Sequence, residues 1–409
     1  KSEKREVVVM DTVRILTALV AGEVCGKDIG GATSGLTADG LCELYRLSKS
    51  HDLAHLVGDA LNKCGGFEKI SAGADDAGRA AIIKVREKFD NQIFTAVYRY
   101  EKINYELGNL RSVLNGAGID FIPLKGSVIR KYYPEPWMRT SCDIDILVHE
   151  SEVDRIADLL VSEMKYKKEE KSPHDISLYS GGGVHLELHY NLIEDGCIGD
   201  MKSVLRSVWD RASAVDGTSE FTLSDEMFYY YHIAHMAKHF VSTGGCGIRP
   251  FVDIWVLNHR ISFDRERRNA LLSEGGLRTF AKEAEALSEV WFGDGEHTDV
   301  TQQMQNYVLS GGVYGTTENR VAVQQVKRGG KFRYALSRIW LPYDTLKFHY
   351  PSLDGKRALL PFYEMRRWCK LIFCGGAKRG MNELRLNSEV SDTEMEKTKE
   401  MLERLGIDR

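Results

Sequence analysis

Proline is scarce in this 409-residue chain, eight in all, and its 38 glycines follow no period. Collagen-like and proline-rich disordered architectures are thereby excluded. Charge of one sign is lacking too. The 55 Lys and Arg against 59 Asp and Glu leave a formal net charge of −4, too balanced to name a partner by itself. No apolar run approaches the roughly 20 residues that a membrane-spanning helix needs, and no secretion signal is recognisable, so no membrane partner is expected. The eight cysteines (25, 42, 64, 142, 197, 246, 369 and 374) form no CxxC pair. Reduced thiols and a cytoplasmic location are the expectation. What is present is an ordinary globular composition, 43% hydrophobic and 28% charged, at a length that suggests two or three domains.

Residues 1–117 read as a helical region. Leu16, Leu19 and Val20 form one apolar stripe; Leu41, Leu44, Tyr45 and Leu47 form another after a cap at Thr37. A third stretch, Ala80 to Leu114, carries Ile82, Ile83, Phe89, Ile93, Val97, Ile103, Leu107 and Leu110, and stops at Gly116 and Gly118. No catalytic pattern occurs there. From Ile119 the pattern changes, and 118–215 reads as an α/β unit. The β-like runs are Asp120–Leu124, Asp143–Val148 and Ser177–Tyr190, and Ser127–Tyr133 and Ser151–Met164 read as helices, the second capped by Ser151. Residues 216–409 read as a helical C-terminal domain, helical from Ser224 onward, whose last helix opens with the capping-box pair Ser391 and Glu394. The expected class is α+β.

The chemistry concentrates in Leu124-Lys-Gly-Ser127 and Cys142-Asp-Ile-Asp-Ile-Leu-Val148. Side chains two apart on a strand share a face, so Asp143 and Asp145 project together while Ile144 and Ile146 face the core. Paired carboxylates repel unless a cation neutralises them, and oxygen-rich sites of this kind suit Mg²⁺ with substrate phosphates. Gly126-Ser127, between a strand and a helix, permits close backbone approach and offers N–H groups to a phosphate. Lys125 and Arg139 add the positive charge a polyphosphate needs. In Val184–Tyr190, alternation sets His185, Glu187 and His189 against four apolar residues, and a charged residue in such a strand needs a partner; a metal shared with the aspartates would supply one.

Three features remain open at this level. His232, His235 and His239 share a helix face within Asp225–Val241. That face suits packing, a nucleotide- or acceptor-facing role for His235, Lys238 or His239, or zinc. Asp253, in an apolar run, is expected to pair with Arg249 or a helix end. Lys327–Arg379 carries thirteen Lys and Arg against three acids, with aromatics interleaved. It reads as a helical face whose long cations cover core aromatics, as a nucleic-acid surface, or as a hold on polyphosphate or an anionic acceptor.

At Leu124-Lys125-Gly126, Arg139, Asp143-Ile-Asp145-Ile-Leu-Val148 and Glu187-Leu-His189 the chain resembles the nucleotidyltransferase superfamily that includes DNA polymerase β and kanamycin nucleotidyltransferase. More narrowly, it resembles a family of uncharacterised bacterial nucleotidyltransferases, with similar flavour in His235–His239, Arg249–Asp253 and Leu341-Pro342. The resemblance covers about 119–260, and more weakly extends to about 375. Glu187 stands where Asp is commoner, and 15 residues separate Ser127 from Asp143. The resemblance implies a polymerase-β-like core with helical regions on either side. It also implies transfer of a nucleoside monophosphate from an NTP, ATP being the first candidate, to a small-molecule, protein or RNA acceptor, with release of pyrophosphate. Two Mg²⁺ ions, or Mn²⁺, would be held by Asp143, Asp145 and Glu187, the catalytic set. Lys125, Gly126, Ser127 and Arg139 would bind the nucleotide, with His189, His235, Lys238 and His239 as further candidates. The alternatives are a non-catalytic or antitoxin-like nucleotide-binding protein, and a nucleic-acid end-modifying enzyme.

Overall fold

The computed structural model describes residues 2–194, 197–313, 315–373 and 377–408. Cys374 lies outside them, as do the side chains of Lys378 and Arg379. Five helices precede the first strand: α1 (Ser2–Cys25), α2 (Ala38–Ser50), α3 (Ala54–Lys63), α4 (Gly66–Ala72) and α5 (Asp76–Gly116). Thr37 caps α2 as expected, its side chain accepting from the Gly40 N–H. The helix expected over Ala80–Leu114 is longer at both ends, because Asp75 caps it through the Gly78 N–H.

The α/β unit follows: β1 (Phe121–Pro123), α6 (Gly126–Ile129), β2 (Asp143–Val148), α7 (Val153–Met164), β3 (Lys167–Lys171), β4 (Asp175–Tyr179) and β5 (His185–His189). The sheet order is β1-β2-β5-β4-β3, with β2 and β5 parallel and the other pairs antiparallel. Three details differ from the sequence reading. Ser151 does not cap α7, because a 3₁₀ turn at Glu150–Glu152 comes first. The run Ser177–Tyr190 is two strands: Gly183 turns the chain at φ +77°, its N–H bonded to the Ser180 carbonyl. The strand β3, Lys-Lys-Glu-Glu-Lys, has no apolar alternation to reveal it; it lies at the sheet edge, where charged side chains discourage further pairing.

Beyond the sheet lie α8 (Met201–Arg206), the short hairpin β6 (Ala212–Ala214) and β7 (Phe221–Leu223), then α9 (Asp225–Ser242), α10 (Arg249–Arg260), α11 (Arg265–Glu274), α12 (Arg278–Phe292), α13 (Asp299–Ser310) and α14 (Thr317–Arg328). The chain ends in α15 (Lys331–Ile339), α16 (Tyr343–His349), α17 (Leu360–Phe373), α18 (Ala377–Glu389) and α19 (Asp392–Leu405), the last with the expected Ser391–Glu394 capping box. None of the helices among the described residues is long and apolar enough to cross a membrane.

Strand alternation sorts the sheet's side chains between two cores. Ile144, Ile146, Val148, Leu186 and Leu188 pack on Ile103, Leu107, Leu110 and Leu114 of α5 and on Val153, Ile156 and Leu160 of α7. Leu147 points the other way and joins Ile122, Leu124 and the apolar faces of α1–α5 and α8–α13 in a larger core. Each fully buried aliphatic side chain contributes about 1.5–3 kcal/mol, which fixes the register against a one-residue slip. The same alternation delivers Asp143 and Asp145 to the face that looks towards α9 and α10.

Candidate active site

The turn between β1 and α6 places the first functional side chain. Lys125 adopts φ +45° and ψ −122°, a region that costs a non-glycine residue about 1–3 kcal/mol. Its carbonyl accepts the Val128 and Ile129 N–H groups, both at 3.1 Å, which anchors the turn to α6. Gly126 lets the turn pack closely: a Cβ there would lie 3.0 Å from the Ser141 Cβ, so a larger residue would push Ser141 aside. Held in this way, the Lys125 ammonium reaches Asp145 Oδ1 at 2.7 Å and Glu187 Oε2 at 3.6 Å.

Parallel pairing of β2 with β5 sets Asp143 opposite His185 and Asp145 opposite Glu187, with His189 one step further along. His189 Nε2 lies 3.0 Å from Asp145 Oδ1 and 3.3 Å from Glu187 Oε2. Two groups result whose ligand atoms all lie within 4.8 Å of one another: Asp143, His185 and Glu187, and Asp145, Glu187 and His189. Glu187 belongs to both. Carboxylate oxygens with an imidazole suit a divalent cation, Mg²⁺ through the oxygens and Mn²⁺ through both donor types.

The electrostatics show the same shortage of positive charge. Burial pushes the Asp143 carboxyl up to about 6, reinforced by the like charges of Asp145 and Glu187 and opposed by Lys125. Burial also acts on Asp145, but Lys125 and His189 outweigh it and hold that carboxyl well below the usual range. Burial resists charging His189, yet its bonds to Asp145 and Glu187 push it up to about 9. Three carboxylates therefore face two cationic side chains.

Helix α9 closes the other side. Tyr231, His235, Lys238 and His239 fall at helical spacing and all line one cleft of about 890 Å³ with Lys125, Gly126, Asp143, Asp145, His185 and Glu187. Lys238 is bound to Glu194 at 2.6 Å; burial raises the Glu194 carboxyl, but Lys238 and Lys125 bring it down to about 2. His235 and His239 meet through their Nε2 atoms at 3.2 Å. Burial, with neighbouring cations, lowers His239 to about 3 and His235 well below its ordinary value, so both rings are neutral. His232 bonds to the Pro250 carbonyl at 3.1 Å instead. No metal-holding group of three among the described residues includes this histidine trio.

Two expected nucleotide contacts are placed differently. Arg139 lines the cleft but grips Asp253 with two parallel bonds, Nε to Oδ1 at 2.7 Å and Nη2 to Oδ2 at 2.8 Å, and Tyr133 donates to the same carboxylate at 2.6 Å. Asp253 thus pairs with Arg139, whereas Arg249 pairs with Asp52 at 2.6 Å. Ser127 is not among the cleft residues, and its buried Oγ has no hydrogen-bond partner among the described residues. None of the cleft residues comes from the basic stretch Lys327–Arg379.

Sequence reasoning missed Tyr231. It sits in the aromatic run Phe228–Tyr231, which reads as core, and it is 4% exposed, yet the residue lines the cleft and its buried hydroxyl has no hydrogen-bond partner among the described residues. An unsatisfied buried hydroxyl costs about 1–3 kcal/mol. Tyr231→Phe is therefore expected to raise the melting temperature of the ligand-free protein while lowering activity, if the hydroxyl serves a bound ligand. A variant with unchanged melting temperature and unchanged activity would remove Tyr231 from the site.

Neither the curated proteins nor the solved structures compared with this chain include a match. A family model does match, over residues 40–293, which is more than half of the chain and takes in every residue of the cleft from Lys49 to Asp253. The strand-borne carboxylates, the Lys-Gly turn beside them and this match lead to one conclusion: the chain belongs to the uncharacterised nucleotidyltransferase family and is a nucleotidyltransferase enzyme.

Proposed function

We propose that the protein transfers a nucleoside monophosphate from a metal-bound NTP to an acceptor oxygen in this cleft, releasing pyrophosphate. The observation that carries the reading is Glu187, shared between two donor groups on paired parallel strands and opening onto a cavity of ligand size. A divalent cation bound there would neutralise the triphosphate and the charge that develops on the attacked phosphorus. Asp143, Asp145 and Glu187 would hold it, with His185 as a further donor; His189 would join them only by giving up its proton to the incoming cation.

The carboxylates divide the work by exposure. The Asp145 side chain is 3% exposed and bonded on both sides, which makes it a holder; that of Glu187 is 25% exposed, which leaves it open to the acceptor. Glu187 is accordingly the base for the acceptor proton, within reach of an oxygen placed in the cleft. Lys125, beside Asp145 and Glu187 and backed by the Gly126 turn, is the cation closest to the phosphates. ATP with Mg²⁺ is the first pair to test, and Mn²⁺ the second.

Metal and NTP together should raise the melting temperature of the wild type. Ligand at 100-fold its Kd adds about 2.7 kcal/mol to a native state that alone binds it. NTP with chelator should give no shift, and a shift of equal size without metal would contradict the reading.

A further inference from the structure

Outside the cleft lining, exposed apolar side chains crowd two helices near the C-terminus. The helix α15 leaves Phe332, Leu336 and Ile339 exposed, with Trp340 just past its end, and α17 leaves Phe362, Met365, Ile372 and Phe373 exposed. The positions 332, 336 and 339, and 362, 365 and 372, each recur at helical spacing on one stripe. The opposite stripes are already used: α15 buries Tyr334, and α17 buries Tyr363 and Glu364. Phe332 is 79% and Phe373 85% exposed, far more than rings that merely edge a core. Arg367 Nη2 and Trp368 Nε1 of α17 both donate to the Ile339 carbonyl, at 2.7 and 3.0 Å, so the two helices are joined.

Cations border the apolar stripes. Arg333, Lys356, Arg366 and Lys370 are exposed and form no ion pair with a described residue. Of the three acids in the stretch, Asp354 and Glu364 are taken by Lys347 and Arg367, which leaves exposed Asp344 outnumbered by these four cations. The whole patch lies beyond residue 293, where the family match ends.

We propose that this two-helix face docks the protein on an anionic lipid surface, its apolar stripes entering the headgroup boundary and its cations meeting the headgroups. Charge complementarity and side-chain type select that occupant. Phe332, Trp340, Phe362 and Phe373 offer ring faces, but Leu336, Ile339, Met365 and Ile372 interrupt them with side chains that cannot stack on bases, which favours a lipid surface over single-stranded nucleic acid. A second copy meeting through the same face would set these unpaired cations against each other. Surface docking needs no spanning helix.

The test is flotation of the full chain with phosphatidylcholine vesicles and with vesicles rich in phosphatidylglycerol. Binding is expected only to the anionic vesicles, weakening with salt. Arg366→Glu with Lys370→Glu should weaken it about tenfold or more. Phe362→Ser with Ile372→Ser should abolish the blue shift of tryptophan emission that accompanies insertion. Both variants should keep the wild-type melting temperature and its response to metal–NTP, so a failure here is distinct from a failure of the transferase reading. Equal binding to neutral vesicles, no binding to either, or binding that both variants retain would overturn the proposal. So would tighter binding to single-stranded RNA, or a dimer that the variants dissociate.

Discussion

Glu187→Gln is expected to leave metal–NTP binding within a few-fold of wild type and to cut transfer about 10²–10⁴-fold, the scale of a lost general base. The reason lies in the geometry. Glu187 is the carboxylate common to both donor groups, and it is also the member whose side chain is open to the cleft. Gln keeps the shape, the position opposite Asp145 and a neutral oxygen that can still ligate in both donor groups, but it cannot accept the proton. Asp145→Asn should behave differently, because Asp145 is buried between Lys125 and His189. Losing that charge leaves two cationic groups facing an uncharged amide, so both binding and turnover should fall. Single-turnover assays with α-labelled NTP, paired with calorimetric binding, separate the two patterns. If both variants bind and turn over alike, the division of labour between holder and base is wrong.

The second large effect is structural. Asp253→Ala should cost about 3–5 kcal/mol of stability, because the Arg139 guanidinium is left charged, buried and unpaired, and the Tyr133 hydroxyl loses its acceptor. Arg139→Met with Asp253→Leu removes both charges and should recover most of that loss. The pH dependence has a fixed sign. Burial raises the Asp253 carboxyl, but Arg139 and its hydrogen bond outweigh it, so the folded-state value lies below the ordinary one. Its contribution is then fully present above the unfolded carboxylate pKa of about 4 and is lost only as the pH falls below that through the folded value. Denaturant melts of the wild type and Asp253→Ala at neutral pH and near pH 3 should show the gap between them closing. A gap under about 1 kcal/mol at neutral pH would mean that the ion pair holds nothing together.

The carboxylates were legible in the sequence because strand alternation is a short-range rule. Asp143 and Asp145 had to share a face, and Val184–Tyr190 had to present Glu187 opposite its apolar residues. Parallel pairing then brought those faces together at Asp145 and Glu187. The site's cations were harder to read. Lys125 and Arg139 both carry positive charge near the acids, but only the fold shows that Lys125 reaches Asp145 while Arg139 is committed to Asp253, 114 positions away. Pairings over such distances leave no local pattern. Tyr231 was hidden for another reason: its neighbours Phe228, Tyr229 and Tyr230 are all buried, and only the fold shows which of the three tyrosines lines the cleft. The β3 edge strand escaped because a strand of five charged residues carries no hydrophobic period at all.

Titration calorimetry of the wild type with ATP, first with Mg²⁺ and then with chelator, followed by the Asp143→Asn, Asp145→Asn double variant, tests the central claim most directly. One nucleotide should bind per chain when metal is present, at least a hundredfold more weakly without it, and not measurably in the double variant, whose melting temperature should confirm that it is folded. Nucleotide binding of the same strength with chelator, or in the folded double variant, would contradict the assignment of these strand-borne carboxylates as the metal–NTP site.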